Sequence, residues 1–411
     1  MSPFGTSKNC LRTSRSLRLG IILLMAPLTG ASIDIYVPSL PALTNHFGVS
    51  AQWIQWTIPS YLIGYSLSQL FCGALSDAWG RRRLLQIGLA LYTGVSLLAS
   101  FSPNFWVLIT LRFVQGVAVA APGVLARAIA SDSFDTHRLP AVTNYITLAW
   151  ALGPILAPVI GGYLQHIFGW QAAFYFLSIY GLITLLLVSF FLPETNLHRH
   201  PLDIPTLVQQ YKTVLANPIF LGCALVLAVV YANLVLFNVV GPFLIQVVLH
   251  QTAVVFGHVA LCLGTAWFLG SLTNRFLVRF FPKLPLMEIA TAVTLCATLG
   301  MAWLAIRYDI SLRNLIIPTA IIFMSASITF TQCFARSMLV FPEKAGTASA
   351  LMGTLFVAGS ALAGFAGSFL ETHTALPLAV SFIALAILAV IILKILPLSG
   401  SALCTDGAAA R

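Results

Sequence analysis

The chain has 411 residues, of which 59% are hydrophobic and only 8% are charged, and its mean hydropathy is +0.94. A soluble globular chain has about 25% charged residues, so this composition excludes a soluble enzyme or a string of soluble domains. The net charge of +10 does not indicate nucleic-acid binding, because the basic residues lie between apolar runs instead of clustering on one face. The composition predicts a polytopic membrane protein.

Twelve apolar segments follow one another along the chain, each long enough to cross a bilayer as a helix of about 20 residues. The predicted spans, numbered 1 to 12 in chain order, are 17–38, 53–75, 83–101, 104–126, 139–163, 170–192, 217–240, 254–276, 285–306, 314–335, 345–369 and 374–396. The runs are too long and too continuous for the alternating strands of an outer-membrane barrel. The predicted fold class is therefore an all-α polytopic membrane protein.

Lys and Arg are distributed unevenly between the two sides of this arrangement. Eighteen of the 21 fall at the N-terminus or in the alternate loops on its side, Arg307 and Arg313 fall on the other side, and Arg112 lies inside span 4. Because cytoplasmic loops carry the excess of positive charge, both termini are predicted to be cytoplasmic.

The first apolar run resembles a signal peptide, but it continues into a motif and eleven further spans, so we expect a retained helix.

The second half of the chain repeats the plan of the first. Asp34 precedes Pro38 by four residues in span 1, and Asn238 precedes Pro242 by four in span 7, at an offset of 204 residues. A ladder of small residues in span 5 recurs in span 11 at an offset of 206: Gly153, Ala157 and Gly161, then Gly359, Ala363 and Gly367. Parallel six-helix repeats are typical of one large transporter class. The repeat predicts two pseudo-symmetric six-helix bundles.

The longest polar interruption lies between spans 6 and 7. It contains Pro201 and Pro205 among mixed charges, as expected of a cytoplasmic linker. We therefore predict an N-terminal half at 1–195, a linker at 196–216 and a C-terminal half at 217–411.

The loop between spans 2 and 3 combines two glycines, an acid and a basic cluster at fixed spacing. Its residues are Gly73, Asp77, Gly80, Arg81, Arg82 and Arg83. Gly73 permits close helix approach, Asp77 can pair with Arg81 one turn on, and Gly80 allows a tight reversal. The spacing resembles the cytoplasmic signature of the major facilitator superfamily and predicts a cytoplasmic gate. The alternative is a positive-inside loop with a turn glycine.

Two charged residues inside the spans are candidates for proton coupling. The segment around Arg112, with Gln115 and Gly116 after it, resembles the helix 4 motif of the same superfamily. A charge inside a span costs about 3 kcal/mol, so Arg112 is predicted to face the bundle interior with a partner, unless it snorkels to the interface.

Asp34 lies deeper in its span than the other acid near a span, Glu288. A carboxyl that alternates between wet and dry surroundings can take up a proton on one side and release it on the other. We predict proton coupling by Asp34, alone or with Arg112, and the alternative is a hydrated cap on span 1.

Span 5 contains glycines and prolines at helical spacing: Gly153, Pro154, Pro158, Gly161 and Gly162. They resemble the antiporter motif of the superfamily's exporters. Glycines at four-residue spacing let helix backbones touch, and the prolines remove backbone hydrogen bonds and allow kinking. The motif predicts a helix that rocks at the interface between the halves, with a static packing face as the alternative.

Three further segments are similar to the bicyclomycin/chloramphenicol-resistance subgroup of drug:proton antiporters. They are 34–41, 125–132 and 192–195, and the start of span 11 at Gly346 also fits. The resemblance implies proton-coupled efflux of drugs or small apolar or cationic compounds by alternating access, in a bacterial inner membrane. It implies a monomer whose partners are a small-molecule substrate, protons and the lipid bilayer, with no cofactor, no metal and no nucleic acid.

Aromatic and neutral polar side chains in the spans are candidates for the wall of a substrate cavity. They are Tyr61, Tyr65, Tyr145, Trp150, Asn233 and Asn238, and the aromatics among them could instead face lipid. The leading alternative function is a siderophore or metabolite transporter of the same superfamily. A membrane-embedded enzyme is the rival of another class, but the sequence contains no HExxH motif, no paired carboxylates for a metal and no P-loop.

Overall fold

The computed structural model describes residues 15–135, 137–196, 201–342 and 345–395, and regular structure in these ranges is helical throughout. The α-helices in these ranges are α1 (Arg15–Met25), α2 (Leu28–Asp34), α3 (Leu40–Phe47), α4 (Ala51–Gln55), α5 (Thr57–Trp79), α6 (Arg81–Ser100), α7 (Phe105–Ser133), α8 (Leu139–Phe168), α9 (Gln171–Phe191), α10 (Ile204–Leu215), α11 (Pro218–Phe243), α12 (Ala253–Phe280), α13 (Leu286–Arg307), α14 (Leu312–Val340), α15 (Ala345–Gly367) and α16 (Leu376–Ile395). Five basic residues used to predict the orientation lie outside the described ranges: Lys8, Arg12, Arg199, Lys344 and Arg411.

Twelve helical segments run the length of the molecule in two six-helix bundles, which confirms the predicted fold class. The first is formed by α1 to α3 together, α5 to α9 supply the next five, and α11 to α16 supply the second bundle. Within the described residues, eleven of these segments are long and apolar enough to cross a membrane. The twelfth, α5, carries Ser, Tyr, Gln and Asp side chains along its 23 residues.

The first crossing is longer and less regular than the predicted span 17–38. It runs from Arg15 to Phe47, with an interruption at Pro27 and a 3₁₀ turn at Val37–Ser39. Proline cannot donate a backbone hydrogen bond and clashes with the preceding turn. The prolines therefore divide this crossing into short helices at the depth where Asp34 lies.

The linker between the bundles contains a helix, α10, that the sequence analysis does not predict. The Asp203 side chain caps it by accepting hydrogen bonds from Thr206 N (3.2 Å) and Thr206 Oγ1 (2.5 Å), which lower the pKa of the Asp203 carboxyl. Val214 is fully buried among residues of the second bundle, and the Tyr211 hydroxyl donates to Leu70 O of α5 (2.6 Å). The linker helix is thus attached to both halves.

The two bundles meet along α8 with α12 and along α5 with α15. Within the first bundle α5 packs most closely on α7. Gly64 and Gly116 lie at that crossing, and a Cβ on either would overlap a backbone carbonyl of the other helix, Phe113 O or Tyr61 O. Small residues therefore hold α5 and α7 at backbone contact, which fixes the position of Arg112 relative to α5.

Candidate functional site

A cavity of about 1000 Å³ lies between the two bundles. Its walls come from α5, α7 and α8 of the first bundle and from α11, α12, α14 and α15 of the second. The cavity extends to the end of the molecule that carries Asp77, since Asp77, Gly346 at the start of α15 and Thr206 of α10 all line it. The halves are therefore separated at that end, which we call the motif end.

Aromatic rings dominate the wall that the second bundle contributes. Tyr231, Trp267, Phe330 and Phe356, from four different helices, form what we call the aromatic cluster. Ring centroids lie 5.2 Å apart for Tyr231 and Phe356, 5.5 Å for Phe330 and Phe356, and 5.6 Å for Trp267 and Phe330. These separations are typical of edge-to-face packing, so the cluster presents one continuous apolar surface to the cavity.

Two of the six residues predicted to bind substrate, Tyr65 and Trp150, line this cavity. The other four are not among the described residues of its wall. Tyr61 is fully buried beside Arg112, and Tyr145 is 52% exposed on α8. Asn233 donates hydrogen bonds to carbonyls of its own helix, and Asn238 bonds Asp34.

The opposite end of the molecule is closed by hydrogen bonds between the two bundles. Three of them have donor–acceptor distances of 2.9 Å: Gln55 Nε2 to Val239 O, Trp56 Nε1 to Ser368 Oγ, and Gln246 Nε2 to Pro38 O. A fourth, from Asn238 Nδ2 to Asp34 Oδ1, measures 2.7 Å. The structure is therefore open at the motif end and sealed at the other.

Asp34 and Asn238, which the repeat analysis identifies as equivalent residues of the two halves, contact each other across the interface. Asp34 is only 4% exposed, so its carboxyl is a dry group at this site and not a hydrated helix cap. Among the described residues it forms no ion pair with Arg112. Residues related by a two-fold repeat meet when they lie near the repeat axis, which explains why this pair is separated by 204 positions in sequence.

Arg112 is fully buried at the centre of a polar network in the first bundle. Its Nη1 donates to Ser32 O (3.1 Å) and to Gln115 Oε1 (2.5 Å), and Gln115 Nε2 donates in turn to Ser96 Oγ (2.7 Å). The guanidinium carbon lies 4.1 Å from the ring centroid of Tyr36 and 4.5 Å from that of Tyr61. The guanidinium therefore combines hydrogen bonds with two cation–π contacts, and it lies in the interior instead of reaching the interface.

The glycine–acid–basic loop has the local geometry that its spacing predicts. Asp77 Oδ1 and Arg81 Nη1 are 2.5 Å apart, and Gly80 adopts φ +96°, a left-handed conformation that reverses the chain between α5 and α6. Arg81 Nε also lies 3.3 Å from Asp132 Oδ2. A Cβ on Gly73 would meet open space, so the close approach expected at Gly73 is absent from this open conformation.

The loop is further tied to the end of the first bundle by Glu194. Its carboxylate accepts from the backbone N–H groups of Arg81 (2.9 Å) and Arg82 (3.2 Å), at the N-terminus of α6. Carboxylates are favourable at helix N-termini because of the unpaired N–H groups there. The Arg82 side chain donates to Ser189 O, and Arg83 is exposed. The described partners of the basic cluster all belong to the first half.

The glycine–proline segment of α8 lies between α2 of its own bundle and α12 of the other. A Cβ on Gly153 would lie 2.7 Å from Pro27 O, and one on Gly161 would overlap the backbone of Ile35. A Cβ on Gly162 would lie 2.6 Å from Ala253 O of α12. Pro154 lines the cavity, and Pro158 contacts Gly257 of α12. The segment therefore lies at the contact between the halves.

Sequence reasoning does not assign the aromatic cluster, Gln69 or Arg127 to the cavity. Aromatics are frequent in every span, so composition could not single out four of them. Arg127 had a usable signal, because it lies within the segment 125–132 that resembles the drug:proton antiporter subgroup.

The profile of the Major Facilitator Superfamily matches residues 22–364. The chain belongs to the Major Facilitator Superfamily. It is thus a multi-pass membrane transporter and not an enzyme, as the motifs predict.

The chain is 28% identical over 365 residues to a bicyclomycin resistance protein homolog of Haemophilus influenzae, covering 88% of this chain and 90% of that protein. It is 27% identical to multidrug resistance protein D of Escherichia coli, covering 85% and 88%. These names agree with the predicted drug-efflux subgroup.

Solved structures of the same fold include transporters of other kinds. The xylose transporter XylE from E. coli has a TM-score of 0.68 at 16% identity, covering 92% of this chain and 97% of that one. A bacterial homolog of the human lysosomal transporter Spinster has a TM-score of 0.69 at 16% identity, covering 92% and 95%. At this identity the likeness concerns the fold alone.

Proposed function

We propose that this chain is a proton-coupled exporter of small organic compounds that works as a monomer by alternating access between its two halves. The observation that carries the proposal is the pairing of a cavity open at the motif end with a sealed opposite end that contains Asp34. A volume of about 1000 Å³ is at the upper end of the range for drug-sized ligands. The names of the relatives, which refer to drug resistance, support export as the direction.

The distribution of positive charge supports an orientation with the motif end in the cytoplasm, and the bacterial relatives support an inner-membrane location. In that orientation the structure is an inward-open state, ready to accept a compound from the cytoplasm. The outward-open state would form when the motif end closes and the hydrogen bonds at the sealed end break.

Asp34 supplies the coupling in this scheme. An ionised carboxylate with no cation in contact is costly to bury, so closure of the outer end and protonation of Asp34 favour each other. Opening of that end would break the bond from Asn238 and hydrate the carboxyl, which would take up a proton from the solution on that side, and the entry of substrate into the inward-open cavity would release that proton to the cytoplasm. Because Asp34 and Asn238 belong to different halves, movement of the halves changes the surroundings of the proton site directly.

Uptake into everted membrane vesicles tests the proposal. A panel of labelled drugs, with a siderophore and amino acids as further arms, is measured with an imposed proton gradient and after its collapse by an uncoupler. We expect accumulation of at least one drug that needs the gradient and is absent from vesicles without the protein. Accumulation of a siderophore or an amino acid alone would favour the alternative function, and uptake that is unaffected by the uncoupler would overturn proton coupling.

A further inference from the structure

The cavity carries a cationic side chain whose charge no described neighbour neutralises. Four charged residues line the cavity among the described residues: Asp77, Arg81, Arg127 and Asp203. Asp77 pairs with Arg81 at 2.5 Å, whereas Asp203, which has no ion pair among the described residues, keeps its negative charge while it accepts two hydrogen bonds from Thr206 of its own helix. Arg127, which is exposed, forms no hydrogen bond or ion pair within the described ranges.

The wall around Arg127 is suited to a molecule with one acidic and one aromatic part. Arg127 lies on α7 of the first bundle, in the same wall as Tyr65 and Trp150. The aromatic cluster lies in the wall that the second bundle supplies. A guanidinium presents a planar fork of donors that matches carboxylate, sulfonate and phosphate groups, while aromatic rings favour flat apolar bodies.

Cationic compounds fit this wall less well. Aromatic cages do bind ammonium groups through cation–π contacts, but here Arg127 lies on α7 one turn from Gly123, which packs against Tyr65 of the same wall, whereas the unpaired acid, Asp203, lies at the start of the linker helix α10 at the motif end. The one acid buried deep in the first bundle, Asp34, is not among the described residues of the cavity wall. The four charges of the wall sum to zero, but the charge on α7 nearest Tyr65 is positive, so an anion is favoured over a cation at that part of the wall.

We infer that the cavity selects aromatic organic anions, with Arg127 as the residue that binds the acidic group. This inference rests on the proposed function, because it names the substrate class of the same cavity. It departs from the sequence-based expectation of apolar or cationic cargo. Because Arg127 is exposed and ion pairs at exposed sites are weak, Arg127 is expected to account for a preference of roughly threefold to fivefold.

Equilibrium binding of three probes with one ring system tests the inference. The probes are 2-naphthoate, 2-naphthamide and 2-naphthylmethylammonium, and their binding is measured by dialysis against the protein in nanodiscs of zwitterionic lipid, with empty nanodiscs subtracted. We expect naphthoate to bind the wild-type chain roughly threefold to fivefold more tightly than naphthamide, and the ammonium probe to bind most weakly. Equal or tighter binding of the ammonium probe would overturn the inference without any variant.

Three variants assign the preference to one side chain. Arg127→Gln should reduce naphthoate binding to within about twofold of naphthamide binding, which should itself stay at the wild-type level, and Arg127→Lys should retain part of the preference. Arg138→Gln is the matched control, because Arg138 is an exposed residue outside the cavity wall, and it should behave as wild type. A preference for naphthoate that survives Arg127→Gln, or a loss of naphthamide binding in that variant, would overturn the role of Arg127.

Because this experiment uses no gradient, its outcome is separable from that of the transport assay. A chain that prefers naphthoate but accumulates no compound in vesicles would overturn the proposed function and leave the inference standing. A chain that exports compounds against a gradient but binds the cationic probe best would do the reverse.

Discussion

Asp34 lies at the interface between the two halves, where the surroundings of its carboxyl change when the halves move relative to each other. It belongs to α2, its hydrogen-bond donor Asn238 belongs to α11, and the distance between them is 2.7 Å. Because the bond crosses the interface at the sealed end, it cannot persist when that end opens. A residue in this position can couple a protonation change to a movement of whole bundles.

Asp34→Asn is predicted to abolish uphill transport and to leave substrate binding and downhill exchange measurable. Asparagine keeps the size and a hydrogen-bonding oxygen but cannot titrate. Both activities are measured in everted vesicles with and without a proton gradient. Glu371→Gln, which alters an exposed acid, serves as the control and should transport normally. Undiminished gradient-driven accumulation by the Asn variant would assign coupling to another group.

Arg112→Lys is predicted to lose most transport activity, by about tenfold or more, while the protein still inserts and folds. Lysine supplies a compact ammonium and not a planar fork, so it cannot reach both Ser32 O and Gln115 Oε1 and also lie between the rings of Tyr36 and Tyr61. Vesicle uptake, normalised to protein amount from size-exclusion profiles, measures the loss. Wild-type uptake by Arg112→Ala would show that the network is dispensable.

At the scale of elements, α8 and α12 form a contact between the halves that depends on missing side chains. A Cβ on Gly257 would lie 2.7 Å from Pro158 O, and one on Gly264 would lie 3.0 Å from Ile155 Cγ1. A methyl group at Gly257 would require displacement of the α8 backbone, whereas one at Gly264 would require Ile155 to shift by a few tenths of an ångström. Both helices contribute glycine, since Gly162 of α8 faces Ala253 in the same way.

Gly257→Ala is therefore predicted to destabilise the open-motif-end conformation by about 1–3 kcal/mol, the usual cost of overpacking. The apparent melting temperature of the purified protein should fall. Gly300→Ala is the matched control, because a Cβ there meets open space, and it should leave the melting temperature unchanged or raise it, since alanine favours the helix. Equal melting temperatures for the two variants would show that α8 and α12 can move apart at this contact without loss of stability.

At the scale of the whole molecule, the structure is one member of a pair of conformations that differ at both ends. The four hydrogen bonds that seal one end join the two halves, whereas the ion pairs of Asp77 and Arg81 at the motif end stay within the first half. The motif residues are thus available to hold the motif end closed in the other conformation. This is the role that their position predicts.

Asp77→Asn is predicted to shift the conformational equilibrium toward the open motif end and to slow turnover, with little effect on substrate binding. Exposed ion pairs contribute only about 0–1 kcal/mol, but a near-balanced equilibrium moves several-fold with that energy. Double electron–electron resonance between labels at Trp79 and Leu339, which are exposed at the ends of α5 and α14, should show a larger population of long distances.

The control for this measurement is Asp135→Asn. Asp135 is an exposed acid at the same end and pairs only with Arg15 among the described residues, at 3.4 Å. Its variant should reproduce the wild-type distance distribution. If Asp77→Asn also reproduces that distribution, the loop serves as a topology signal and not as a gate.

Features that depend on neighbours in sequence were determined by the sequence itself. The twelve apolar runs follow from the length that a bilayer requires, and the turn at Gly80 and the pair Asp77–Arg81 follow from spacing within one or two turns. The burial of Arg112 was predictable because a charge in hydrocarbon needs an interior site. Asp203 followed by Pro205 is also a signal for the N-terminus of a helix, α10, although the sequence analysis interprets this segment only as a linker.

Features that depend on which face of a helix points inward were decided only by the tertiary structure. In a membrane the lipid tails are as apolar as the protein interior, so hydrophobic periodicity does not separate cavity-facing residues from lipid-facing ones. Tyr65 and Tyr145 are alike in sequence terms, yet the first lines the cavity and the second does not. The partner of Asp34 and the isolation of Arg127 likewise depend on how the bundles pack, because their neighbours come from distant helices.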